Sequence, residues 1–150
     1  MMPIRRAAAA ASLALLGLVS CAAPKDPVLA TLDAMVKAAN ARDAGALFER
    51  VAPGFSAADG SGRDDARATA ERYFAAYETL DVKLSDVRIE RGGPDAARVR
   101  FRAALAGQPR RIGGLDGLVP SSAAYDFDVR LTNDSGVWKV AWAQWNPAGV

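Results

Sequence analysis

From Asp26 onward, apolar side chains recur first at helical and then at strand spacing. Asp26-Pro27 predicts a helix start, because Asp caps free amides and proline suits the first helical position. Val28, Leu32, Met35, Val36 and Ala39 follow on one face, with Asp33, Lys37 and Asn40 opposite. Asp43 is a second N-cap, opening a short helix that buries Leu47, Phe48 and Val51 and stops at Pro53-Gly54. After the turn Asp59-Gly60-Ser61-Gly62, a third helix is predicted from about Asp64 to Leu80. Its stripe is Ala66, Ala70, Tyr73, Phe74, Tyr77 and Leu80.

From Val82 the period changes to two. One strand spans Val82 to Ile89, and its phase slips between Leu84 and Val87, the mark of a bulge or a late register. Gly92-Gly93-Pro94-Asp95 turns the chain into a regular strand. Ala97, Val99, Phe101 and Ala103 face one way there, and Arg98, Arg100 and Arg102 the other. A long connection from Ala106 to Ser122 is rich in glycine and carries Arg110-Arg111. Then Tyr125, Phe127, Val129 and Leu131 alternate with Asp126, Asp128 and Arg130. A turn over Thr132 to Gly136 leads to a last strand, Val137 to Trp145. Three helices followed by a meander predict an α+β fold, its mostly antiparallel sheet covered on one face only because the other is charged.

The segment before Asp26 has a different character. Arg5 and Arg6 precede an apolar run from Ala7 to Val19. That run is too short for a relaxed helix across a hydrocarbon core about 30 Å thick, which needs about 20 residues. It fits the apolar region of a secretory signal peptide. Leu18-Val19-Ser20-Cys21 follows, and it resembles the lipobox of bacterial lipoproteins. The resemblance implies a signal peptide over residues 1–20, removed before Cys21, and a diacylglyceryl group on the Cys21 sulfur. The lipidated end and a short tether would occupy residues 21–26, leaving residues 27–150 as the domain. Ala22 stands where an aspartate favours inner-membrane retention in that family. The implied location is therefore the cell envelope, on the periplasmic face of the outer membrane. The membrane would be held by acyl chains, each buried methylene contributing about 0.8 kcal/mol.

Composition narrows the chemistry. The 150 residues include no histidine and one cysteine, which excludes histidine-based triads and thiolate–imidazole zinc sites. No metal or cofactor is expected. The formal charge is +2, too small for a nucleic-acid binder. Without Arg5 and Arg6 the 19 basic residues fall to 17, equal to the 17 acidic ones, so the domain carries no polybasic membrane patch.

Two stretches point to a family. Ala38-Ala39-Asn40-Ala41-Arg42-Asp43-Ala44 running into Leu47-Phe48, together with the terminal Gly136-Val137-Trp138-Lys139-Val140, resembles the nuclear transport factor 2-like superfamily of ketosteroid isomerases and polyketide cyclases. The resemblance spans nearly all of Asp26 to Asn146 and implies a cone-shaped, cystatin-like architecture with helices closing over a curved sheet and a pocket between them.

On that frame the concave face would present Phe101, Tyr125, Phe127, Trp138, Val140 and Trp142, joined by Tyr73 and Tyr77 from the third helix. These side chains either line a pocket for a small apolar ligand or simply fill a core. A catalytic carboxylate, as in isomerases of this fold, would have to reach the pocket, and Asp59 near its expected rim is the single candidate. Turn chemistry alone also explains Asp59-Gly60. Arg98, Arg100, Arg102, Asp126, Asp128 and Arg130 form either a solvated charged face or a surface for a homodimer or an envelope protein. Leu115, Leu118 and Val119 form either a lid or an insertion. The expected function is a non-catalytic lipoprotein domain binding a small apolar ligand or a protein partner. The alternatives are a pocket enzyme of isomerase or cyclase type using a carboxylate and a tyrosine, and an accessory subunit of an envelope complex.

Overall fold

The computed structural model describes residues 25–110 and 120–149. Helix α1 spans Pro27–Asn40 and α2 spans Ala44–Phe48. Strand β1 spans Val51–Ala57, and helix α3 spans Arg63–Ala75. Strands β2 (Tyr77–Arg91), β3 (Ala96–Pro109), β4 (Ser122–Asp134) and β5 (Val137–Pro147) complete the chain. The five strands form one sheet in the order β1-β5-β4-β3-β2. Neighbours among β2 to β5 are antiparallel, and β1 joins β5 in parallel at the edge. The helices pack on one face, as expected of this α+β class.

Local chemistry sets the helix ends. The Asp26 carboxylate accepts from Val28 N at 2.8 Å, and Asp43 accepts from Ala46 N at 2.9 Å, each satisfying an amide left free at a helix start. Arg91 holds the second oxygen of Asp26 in an ion pair. At the other end of α1, Asn40 Oδ1 accepts from Val82 N at 2.6 Å, and Arg42 Nη1 donates to the Tyr77 carbonyl at 2.6 Å. The Asn40-Ala41-Arg42-Asp43 segment thus ties α1 to strand β2 while starting α2.

The structure differs from the sequence expectation at three places. Pro53-Gly54 does not end a helix; it lies within β1, and Val51 is a strand residue. Proline is tolerated there because β1 is an edge strand with an interrupted register. Helix α3 stops at Ala75, so Tyr77 and Leu80 belong to β2. And β3 runs on to Pro109, so the connection is shorter than Ala106 to Ser122. At Gly107, strands β2 and β3 approach so closely that a side chain would stand 2.4 Å from the Thr79 carbonyl oxygen. Arg111, Leu115, Leu118 and Val119 lie outside the described residues, as do Arg5, Arg6 and Cys21.

Two irregularities decide which side chains face the helices. Register is lost between Ser85 and Arg88 on β2, where Asp86 takes the left-handed conformation at φ 54°. This is the phase slip legible between Leu84 and Val87. On β5, Arg130 pairs with Trp142 but Leu131 pairs with Val140. Ala141 is left unopposed, and every later side chain on β5 changes face.

The core is unevenly filled along the sheet. Next to the β2–β3 and β4–β5 turns, Val28 and Val99 are fully buried and Leu131 is 1% exposed. Thr31 Oγ1 donates to the Trp138 carbonyl at 3.2 Å, satisfying the one buried polar side chain there. Towards the opposite end the helices and sheet separate and enclose space.

Candidate functional site

That space is a cavity of about 410 Å³ between α1, α3 and the concave face. Met35, Val36 and Ala39 come from α1, and Thr69, Ala70 and Tyr73 from α3. Leu84, Phe101, Leu105, Tyr125, Phe127 and Trp145 come from the sheet. A row of three aromatics crosses the floor, because Phe101, Phe127 and Trp145 are directly opposed in register. Phe101 and Phe127 stack at 5.1 Å with 10° between planes, and Phe127 meets Trp145 at 6.1 Å. Such stacking holds flat side chains upright and keeps the floor from collapsing inward.

Among the described residues, the wall contains no aspartate, glutamate, lysine or arginine. Its polar atoms belong to Thr69, Tyr73, Tyr125 and the indole of Trp145. The Tyr73 phenol is pushed well above its ordinary range, chiefly by burial and then by the Tyr77 hydroxyl, so it stays protonated at any physiological pH. Tyr77 Oη donates to the Pro120 carbonyl at 2.7 Å. The described residues hold no cluster of acidic or cysteine side chains suited to a metal.

The expected pocket residues divide. Tyr73, Phe101, Tyr125, Phe127 and Val140 line the cavity. Tyr77 stands behind the wall, 2% exposed and packed against Tyr73 at 5.1 Å. Trp138 is not on the wall either; it is closed into the filled end, with Arg91 over its ring at 5.6 Å. Trp142 is on the opposite side of the sheet, its ring under the Arg130 guanidinium at 4.6 Å. The bulge at Ala141 is the cause: it sends Trp142 outward and brings Trp145 in. Trp145 is therefore the aromatic that strict alternation overlooked. Met35 and Val36 were visible as part of the first helical stripe.

Asp59 is placed in the turn after β1, exposed and away from the cavity wall. Its Oδ1 accepts from Ser61 N at 2.9 Å and from Ser61 Oγ at 2.6 Å, and these bonds hold its carboxyl below the usual range. A carboxylate so occupied is a turn-former, and Asp59 does not reach the cavity as the expected catalytic carboxylate would have to.

The convex face carries the charges expected of it. Arg98 grips Asp128 through two bonds of 2.9 and 2.5 Å, and Arg102 grips Asp126 at 2.8 and 3.2 Å. Arg100 is 3.9 Å from Asp128. The guanidinium of Arg98 holds the Asp128 carboxyl below its usual range, and Arg102 does the same for Asp126.

Comparison with known proteins bears on the whole assembly. Residues 28–112 match the family model of the SnoaL-like domain. The chain belongs to the SnoaL-like family. The family match takes in the three helices and strands β1 to β3. A candidate scytalone dehydratase from Novosphingobium aromaticivorans superposes with a TM-score of 0.71 at 12% identity, over 82% of this chain and 83% of that one. A candidate dehydratase of the nuclear transport factor 2-like family from Streptomyces avermitilis gives 0.68 at 18% identity, over 83% and 96%. An uncharacterized cystatin-like protein from Caulobacter vibrioides gives 0.64 at 15% identity, over 83% and 89%. These likenesses establish the SnoaL-like, cystatin-like fold. No curated protein matches the sequence.

Proposed function

We propose that this SnoaL-like domain is a ligand-binding module, moored to a bilayer through acyl chains on Cys21, that takes a small apolar molecule into its cavity without transforming it. The observation that carries the reading is the cavity itself: about 410 Å³, within the range of small-molecule sites, and walled almost wholly by hydrocarbon. An accessory subunit without a ligand has no use for such a hollow, since filling it would add stability. A proton-abstracting enzyme needs a base within about 3 Å of its substrate, and Asp59 does not supply one. Membrane mooring rests on Leu18-Val19-Ser20-Cys21 and fits an apolar ligand, which is most concentrated in lipid.

Native mass spectrometry of the protein purified from its own host tests the binding reading. A retained species of defined mass, released on unfolding, is the expected result. Turnover of that species on incubation would establish the enzyme instead. For the mooring, Cys21→Ala is expected to abolish acyl labelling and remove the mature protein from the membrane fraction; persistent labelling would overturn it.

A further inference from the structure

Sulfur is scarce in this chain, and its one position in the domain is on the cavity. The methionines are Met1, Met2 and Met35, and the single cysteine is Cys21. From Pro27 to the end, Met35 is the one side chain that contains sulfur, and it lines the cavity. Leu32 and Ala39, about one helical turn to either side of it on α1, line the same wall. The thioether thus belongs to the body of the α1 wall. Met35 packs against the core that contains Val28, Leu32 and Phe48, but unlike them it is only partly buried. A small oxidant that enters the cavity can reach it. Among the described residues, the polar atoms around it are confined to Thr69, Tyr73, Tyr125 and Trp145.

We propose that Met35 is a modification site, oxidised by hydrogen peroxide to methionine sulfoxide, and that this change loosens the hold of the cavity on its ligand. This rests on the cavity being a binding site. In the step, a sulfur lone pair attacks one peroxide oxygen. The S–O bond forms as the O–O bond breaks, and the second oxygen leaves as water. Sulfur gives up two electrons and the peroxide takes them, so no further reactant is needed. The product carries a strongly polar S–O group where the thioether was apolar. In the open cavity that oxygen can keep a water. A bound apolar molecule displaces the water and offers no proton in return, so the cost falls on the complex rather than on the fold. Because a sulfoxide can be reduced again, the loss is reversible.

The test follows binding of the neutral fluorescent reporter N-phenyl-1-naphthylamine to the full chain before and after hydrogen peroxide, with peptide mass mapping to locate each added oxygen. Oxidation at Met35 is expected to weaken reporter binding about tenfold or more. Methionine sulfoxide reductases for both epimers should restore it. Met35→Leu, a swap of similar volume, should bind the reporter and keep its affinity through the same treatment, which sets aside Met1, Met2, Cys21 and the tryptophans. Unchanged affinity with Met35 oxidised would overturn the proposal, as would a Met35 that stays unoxidised while Met1 and Met2 are converted. An equal loss in Met35→Leu would overturn it too, by placing the damage elsewhere. Should Met35→Leu not bind the reporter, the reductases decide alone, and affinity that fails to return refutes. Failure of the reporter to bind the untreated wild type would instead overturn the cavity-binding reading.

Discussion

The two ends of the concave face are made from the same strands, yet one is solid and the other hollow. Beside the hairpin turns, Val99 and Leu131 meet Val28 of α1, and Trp138 closes the end. Towards Tyr77, Pro109 and Pro147 the inward positions hold Phe101, Phe127, Tyr125 and Trp145, which face open volume. Hydrophobic residue types do not distinguish these ends; if anything, the hollow end has the larger side chains. The difference lies in support. The floor aromatics stack on one another along the sheet, whereas Val28, Val99 and Leu131 have nothing between them but each other. Bulk in a side chain thus fills a core only when a facing layer comes down to meet it.

This contrast is open to direct attack. The largest effect is expected from Leu131→Ala at the filled end, a loss of about 2–5 kcal/mol in denaturant unfolding. Leu84→Ala on the cavity wall should cost clearly less, since the space it vacates joins an existing hollow. Equal losses would mean the two ends are packed alike. A smaller effect is expected when bulk is added. Val36→Trp should change stability by about 1 kcal/mol or less and abolish capture of the apolar reporter, while Val99→Phe should cost about 1–3 kcal/mol through overpacking.

The smallest effects belong to the charged reverse of the sheet. Asp128 on that face has its carboxyl held below its unfolded range by Arg98, as Asp26 at the start of α1 has by Arg91. Below their folded pKa values both states are protonated, and the advantage is gone; above the ordinary value of 3.8 it is complete. Stability should therefore be level near neutrality and fall as pH drops below about 4. Asp128→Asn should lower stability by about 1 kcal/mol at pH 7 and lose that effect in strong acid. A mutant deficit that persists at pH 2.5 would show that packing, not charge, is what Asp128 contributes.

The parts of this arrangement that the sequence displays are those where its period is unbroken. Strand β3 alternates without fault from Ala97 to Ala103, so both its faces were readable, and Asp26 and Asp43 announced their helices by cap chemistry. The end of α3 was not readable, because Tyr77 falls four residues after Tyr73 and continues the helical stripe by coincidence, with no glycine or proline marking Ala75. Strand β1 was masked by Pro53-Gly54, which ends helices far more often than it sits in an edge strand. On β5 the bulge falls at an alanine, which carries no positional signal. The distinction between a lined cavity and a filled core was beyond alternation in principle: both put the same residues inward, and only the distance between layers separates them.

The unopposed Ala141 has a consequence for how such a chain can diverge. Trp138 and Trp142 are four residues apart and would share a face in any unbroken strand; one surplus residue assigns them to opposite sides and gives the interior to Trp145 instead. Excising that single alanine would close the ladder and leave every side chain where it is, Trp142 outside and Trp145 within, because the residues on either side of it already pair consecutively with Leu131 and Arg130. A slip of the pairing that drew Ala141 opposite Arg130 would do the reverse, setting Trp142 opposite Val129 and Trp145 opposite Asp126, and would rewrite both surfaces of the strand without changing a residue.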